Sequence, residues 1–128
     1  MVKQRHILLV DDDHDMVRIL GRLLQEKGYE TSTAFDGYEA LEKVWENEPD
    51  LIILDLNLPK LSGPQVCRIL RMQEKSREIP VLMLTGRSLE GTHPEGFKEG
   101  MDGYVTKPYE ANHLLELIET LLHLRITS

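Results

Sequence analysis

Leu51-Ile52-Ile53-Leu54, followed at once by Asp55, is the stretch that decides the fold. Its apolar run is unbroken, short, and stopped by a carboxylate, which reads as a strand buried on both faces. Ile7-Leu8-Leu9-Val10 repeats the pattern and runs into Asp11-Asp12-Asp13; Val81-Leu82-Met83-Leu84 repeats it again and runs into Thr85. A sheet with one wet face would alternate apolar and polar residues. Continuous hydrophobicity is what a parallel sheet covered by helices requires.

Helical periods fill the intervals between these strands. Over residues 15–27, Val17, Leu20 and Leu24 recur at spacings of three and four, and Gly28 is placed to stop the helix. Over residues 38–47, Leu41, Val44 and Trp45 do likewise after an Asp36-Gly37 turn. Val66, Ile69 and Leu70 mark a third helix opened by Gly63-Pro64, where proline suits a first turn. Leu114, Leu117, Ile118, Leu121 and Leu122 make the apolar stripe of the last helix, with Glu110, Glu116 and Glu119 on its other faces. Weaker strands at residues 30–35 and 104–106 complete the set. Between Thr85 and Tyr104 the glycines Gly91, Gly96, Gly100 and Gly103 crowd the interval. Each interior glycine costs roughly 1 kcal/mol relative to alanine, so the helix expected there is short or frayed. Thr92-His93-Pro94-Glu95 offers it a capping box. Strands and helices therefore alternate five times, predicting an α/β, doubly wound (βα)5 sandwich with helices on both faces of a five-stranded parallel sheet.

The chain has 128 residues, 41% of them hydrophobic and 29% charged, and shows no repeat or linker, so residues 1–128 are expected to form a single domain. Fifteen basic against 22 acidic residues give a net charge of −7, which argues against direct nucleic-acid binding. The single cysteine, Cys67, excludes an internal disulfide framework and fits a reducing compartment. No apolar run is long enough to span a membrane. Lys3 and Arg5 precede an apolar stretch that three aspartates cut short, so it is no signal-peptide core. A cytoplasmic location is expected.

In an open α/β sheet, ligands bind beyond the carboxyl ends of the strands, where the strand order reverses. The residues just past each strand are therefore informative: Asp11-Asp12-Asp13, Asp55, Thr85 and Lys107-Pro108. With the common order 2-1-3-4-5, Asp11 and Asp12 face Asp55 across one crevice flanked by Thr85 and Lys107. Converging carboxylates repel one another unless something positive joins them. Oxygen ligands suit Mg²⁺, with Mn²⁺ able to take its place, and no Cys or His pair has zinc spacing. A lysine and a hydroxyl beside that ion make a receptor for a tetrahedral oxyanion such as phosphoryl. A carboxylate whose charge the metal screens can itself attack phosphorus.

Val10-Asp11-Asp12-Asp13, Leu54-Asp55-Leu56-Asn57-Leu58-Pro59, Leu84-Thr85-Gly86 and Tyr104-Val105-Thr106-Lys107-Pro108 together resemble the receiver domain of two-component response regulators, the chemotaxis-regulator type included. Residues 34–41, Ala-Phe-Asp-Gly-Tyr-Glu-Ala-Leu, resemble its second strand, turn and second helix. The likeness runs from Ile7 to Leu124 and implies a flavodoxin-like fold of strand order 2-1-3-4-5. It implies that Asp55 is the phosphoacceptor for a phosphohistidine, that Asp11, Asp12 and Asp55 hold Mg²⁺, and that Asn57 adds its backbone carbonyl. Lys107 would bridge to phosphoryl oxygen next to a cis Lys107-Pro108 peptide. Thr85 would donate its hydroxyl and draw its loop inward, and Tyr104 would turn from an exposed to a buried rotamer. That turn reshapes the surface of the fourth helix, fifth strand and fifth helix. The implied partners are a sensor histidine kinase or phosphotransfer protein upstream and an effector or fused output domain downstream, with a phosphorylation-dependent dimer as a further option. No output domain is expected within these residues, no membrane partner is implied, and the protein is not an enzyme beyond its own phosphorylation and dephosphorylation. Gly86 stands where many relatives have alanine, Leu61-Ser62-Gly63 replaces a commoner Met-Asp-Gly, and Asn57 and Arg87 occupy positions that tune phosphoryl lifetime.

Other readings compete. Asp13 and Asp15 read best as a solvated helix start. Tyr104 can be simple packing, Cys67 a small core residue, and the five histidines are scattered. Asp11 and Asp13 also offer the Asp-x-Asp of a haloacid-dehalogenase-like phosphatase, with Asp11 as nucleophile, although Asp15 stands where Thr or Val is expected. A third reading is an interaction module that never takes phosphate.

Overall fold

The computed structural model describes residues 4–86 and 100–127, with the side chains of the last four of these left aside. Five strands and four helices lie among them: β1 (His6–Val10), α1 (His14–Glu26), β2 (Glu30–Ala34), α2 (Gly37–Asn47), β3 (Leu51–Asp55), α3 (Gly63–Met72), β4 (Val81–Thr85), β5 (Gly103–Thr106) and α4 (Ala111–Thr127). The short helix expected between Thr85 and Tyr104 falls largely in residues 87–99 and lies outside the described residues. All strand pairs are parallel, in the order β2-β1-β3-β4-β5. The order reverses between β1 and β3, so the crevice expected at the carboxyl ends of the strands lies between these two.

Side chains alternate along each strand, and both sides of the sheet are covered. Leu8, Val10, Ile52, Leu54, Val81 and Met83 pack beneath α2 and α3, joined by Leu41, Val44, Val66 and Leu70. Ile7, Leu9, Leu51, Ile53, Leu82 and Leu84 face the other way, against Val17, Leu20 and Leu24 of α1 and Leu114 and Ile118 of α4. Burial on both faces is the physical reason the three quartets carry no polar residue.

The helix ends follow local chemistry. Asp13 caps α1 by accepting from the Asp15 and Met16 amides. The α1 C-terminus closes with Gly28 N–H on the Gln25 carbonyl and Tyr29 N–H on the Leu24 carbonyl. That closure needs a left-handed residue, and Gly28 supplies it at φ 94°. For α3 the cap is Ser62 rather than the Gly63-Pro64 pair alone: Ser62 accepts from the Gln65 amide while the Gln65 side chain accepts from the Ser62 amide. Trp45 departs from expectation. Leu41 and Val44 fill the inward face of α2, and Trp45, one position further round, is left 47% exposed.

At the amino end of β4 and β5, opposite the crevice, Arg71 ties three segments together. Its guanidinium donates to the carbonyls of Gly100 (2.7 and 2.9 Å), Ile79 (2.7 Å) and Arg77 (3.0 Å) and to Asp102 Oδ2 (2.8 Å). Asp102 in turn accepts from the Val81 amide that opens β4. Replacing Arg71 with methionine keeps the aliphatic stem but orphans these carbonyls. The expected cost is roughly 2–4 kcal/mol, read as a lower urea midpoint with unchanged slope.

Candidate metal centre

Asp55 is the last residue of β3 and Asp11 follows the last residue of the adjacent β1, so parallel pairing sets the two carboxylates side by side. Asp11 is 2% exposed and Asp55 7%, whereas neighbouring Asp12 is exposed. One carboxylate oxygen from each of the three lies within 4.8 Å of the others. Lys107, just past β5, reaches in with Nζ 2.8 Å from Asp11 Oδ2 and 3.9 Å from Asp55 Oδ1. Its own amide donates to the Thr85 carbonyl at 2.7 Å, which fixes the lysine to the end of β4. Thr85 ends β4 fully buried, one residue beyond the Asp55↔Leu84 register pair. The Lys107-Pro108 peptide is cis, as the resemblance implied.

Electrostatics at the cluster are unbalanced. Burial, and then the Asp11 charge, push the Asp55 carboxyl up to about 6, while Lys107 and the Asn57 amide act in the opposite direction. Burial alone would lower the Lys107 ammonium. The Asp11 hydrogen bond and the charges of Asp55, Asp11 and Asp13 outweigh it, and the lysine is raised instead. The Tyr109 phenol is raised chiefly by burial, with Lys107 lowering it and Asp11 raising it. Among the described residues, two buried carboxylates, an exposed third and a single nearby ammonium still leave net negative charge. A hard divalent cation fits that donor set: oxygen ligands, close spacing, and a repulsion it would relieve.

The sequence-derived residues are thus brought together with a few distinctions. Asp11, Asp12, Asp55 and Lys107 meet at one crevice, and Thr85 ends the strand beside Asp55. Asn57 sits just beyond Asp55 with its side chain exposed, and Tyr104 stands on β5, 40% exposed, in register with Met83. Asp13 and Asp15 stay out of the cluster: the first caps α1, and the second pairs with Arg18 on the surface. Arg87 lies outside the described residues. Sequence reasoning passed over the surroundings of the acceptor loop, residues 56–62. Lys60 there pairs with Asp36 at 3.3 Å, and at the start of α1 His14 stacks on Phe35 with ring centroids 3.8 Å apart. The Ser-x-x-Gln spacing at Ser62 was the one legible signal among these.

The profile of the response regulator receiver domain family matches residues 7–119. The chain belongs to that family. It is 41% identical over 118 residues to the alkaline phosphatase synthesis transcriptional regulatory protein PhoP of Bacillus subtilis, covering 92% of this chain and 48% of PhoP. Among solved structures it is similar to the chemotaxis response regulator CheY4 of Vibrio cholerae, with a TM-score of 0.86, 35% identity, and coverage of 93% of this chain and 99% of that one. The receiver domain of the sensor histidine kinase PA1611 of Pseudomonas aeruginosa, solved with a magnesium ion coordinated in its active site cleft, gives a TM-score of 0.87 at 28% identity, covering 94% and 99%. The receiver chain spans about half the length of the curated relatives it matches. This protein is therefore a receiver domain of two-component signalling with a flavodoxin-like fold, and no described helix is long and apolar enough to cross a membrane.

Proposed function

We propose that this receiver accepts a phosphoryl group on Asp55 and uses it to switch a binding surface. The observation that carries the reading is the convergence of Asp11, Asp12 and Asp55 within 4.8 Å, with Lys107 Nζ between two of them. The magnesium in the similar PA1611 receiver supports the same ion here. Asp11, Asp12, Asp55 and the Asn57 carbonyl would hold it. Bound there, Mg²⁺ supplies the positive charge that lets a phosphoryl group approach a carboxylate.

The chain's own groups do the rest. With its carboxyl pushed up to about 6, Asp55 is mostly ionised near neutral pH and carries a free electron pair. That pair forms the O–P bond as the P–N bond to a donor histidine breaks, and the bonding electrons return to the imidazole. Lys107, 3.9 Å from Asp55, is placed to move from Asp11 toward a phosphoryl oxygen. The Thr85 hydroxyl, one strand over, is the second donor. Its movement would draw the end of β4 inward, and Tyr104 on the neighbouring strand would follow into the space vacated.

We read residues 1–128 as one receiver domain acting in the cytoplasm, with a histidine kinase or phosphotransfer protein upstream and an effector or output domain downstream. It transfers phosphoryl only onto and off itself. The phosphatase reading needs Asp13 as acid/base, but Asp13 serves as the α1 cap, its Oδ1 accepting from two amides, and stands outside the carboxylate cluster. Incubation with acetyl phosphate tests the proposal: intact mass is expected to rise by one phosphoryl group with Mg²⁺ and to stay unchanged with chelator. No adduct under either condition would favour the interaction module.

A further inference from the structure

The loop that carries Asn57 is short and pinned at its base, and its outer edge rests on a different element. Gly63 N–H donates to the Leu56 carbonyl at 3.0 Å, closing the base of the loop, and a Cβ on Gly63 would stand 2.5 Å from the Asp55 carbonyl oxygen. At the outer edge Leu61 closely approaches Gly37, the first residue of α2. A Cβ there would overlap the Leu61 Cβ and come within 2.7 Å of the Leu61 carbonyl. Beside this contact Lys60 adopts a left-handed conformation, φ 70°, which disfavours a side-chain-bearing residue by about 1 kcal/mol. Its ammonium meets Asp36, whose other carboxylate oxygen caps α2 through the Glu39 amide at 2.8 Å. The loop is therefore held between α3 at one end and the start of α2 at the other.

We propose that Gly37 is a positioning residue for the Asn57 carbonyl: the bare backbone at the start of α2 is the seat that fixes how far Leu61, and with it residues 57–60, stands from the aspartate cluster. The inference rests on the metal reading of that cluster. Metal ligation tolerates displacements of only a few tenths of an ångström, and disturbing the supports behind a ligand lowers metal affinity by about 10–100-fold. A side chain at Gly37 must push Leu61 outward, because the two nearest atoms are a Cβ and a backbone carbonyl rather than a flexible tip, with Val66 Cγ2 of α3 next at 3.0 Å. With the base anchored at Gly63, the displacement passes to the span containing Asn57.

The test is calorimetric titration with Mg²⁺ alone, without any phosphoryl donor. Gly37→Ala is expected to weaken Mg²⁺ binding about tenfold and to shift the Asn57 and Leu58 amide resonances. Gly21→Ala, where a Cβ would meet Leu9 Cδ1 at an ordinary 3.5 Å, serves as the control and should bind as the unaltered chain does. If Gly37→Ala does not fold, Leu61→Gly removes the Leu61 Cβ that rests on Gly37, leaving the loop edge without its side-chain seat, and a comparable loss is expected. A folded Gly37→Ala or Leu61→Gly with Mg²⁺ affinity within about twofold of the unaltered chain overturns the inference while leaving the metal site intact. Absence of Mg²⁺ binding by the unaltered chain overturns the metal reading and this inference with it.

Discussion

Asp55→Asn is expected to abolish phosphoryl uptake from acetyl phosphate and, at the same time, to make the protein more stable at neutral pH. The second effect comes from the folded-state carboxyl, pushed up to about 6 by burial and by Asp11. An acid whose pKa is higher in the folded than in the unfolded chain binds more protons when folded. Its penalty is therefore absent below about pH 4, grows between about pH 4 and 6, and is complete above. A shift of about two units corresponds to roughly 2–3 kcal/mol. The unaltered chain should lose this stability as pH rises through that window, and Asp55→Asn should not. Urea unfolding near pH 4 and near pH 7.5 reads the difference directly. Mg²⁺ should recover stability in the unaltered chain by binding the folded state, and do so less in the variant, which has one charge fewer to offer. An adduct that persists in Asp55→Asn would move the nucleophile to Asp11 and revive the phosphatase reading.

Lys107→Ala has the opposite sign. Asp11 is buried and its described ionic partner is Lys107 at 2.8 Å, so truncation leaves a buried charge uncompensated and removes the cation that holds Asp55 down. A loss of roughly 2–4 kcal/mol at neutral pH is expected without Mg²⁺, shrinking when Mg²⁺ is added. Phosphoryl uptake should survive, since the attacking group is intact. The response at Tyr104 should not, because the lysine that ties phosphoryl oxygen to β5, the strand that carries Tyr104, is gone. Amide and side-chain resonances of Tyr104, followed before and after acetyl phosphate, separate the two effects. A full Tyr104 response in Lys107→Ala would remove the lysine from its assigned role.

The parts of this protein that were legible in its sequence share one physical origin. A strand buried on both faces has to be continuously apolar, so the quartets at residues 7–10, 51–54 and 81–84 announced themselves, and whatever polar residue ended each one had to lie at the crevice. Asp11, Asp55 and Thr85 were found in that way, Lys107 stood at the end of the weaker strand at residues 104–106, and the family likeness added Asn57 and Tyr104. Trp45 misled because a helical period fixes which residues face inward only to within about one position, and a large aromatic at the border of the stripe can lie on either side. Arg71 was illegible for another reason: apart from Asp102, its partners are backbone carbonyls at residues 77, 79 and 100, acceptors that every residue possesses. The same holds for Gly37 against Leu61, a close approach between residues 24 apart in a chain whose spacing gives no hint of it.

Site-resolved detection of the acyl phosphate tests the central claim most directly. Borohydride reduces an aspartyl phosphate to homoserine, a change of residue identity that peptide mass spectrometry assigns to a single position. After treatment with acetyl phosphate and Mg²⁺, homoserine is predicted at position 55 and nowhere else. Homoserine at position 11, or an adduct that resists reduction and maps to a histidine, would contradict the account.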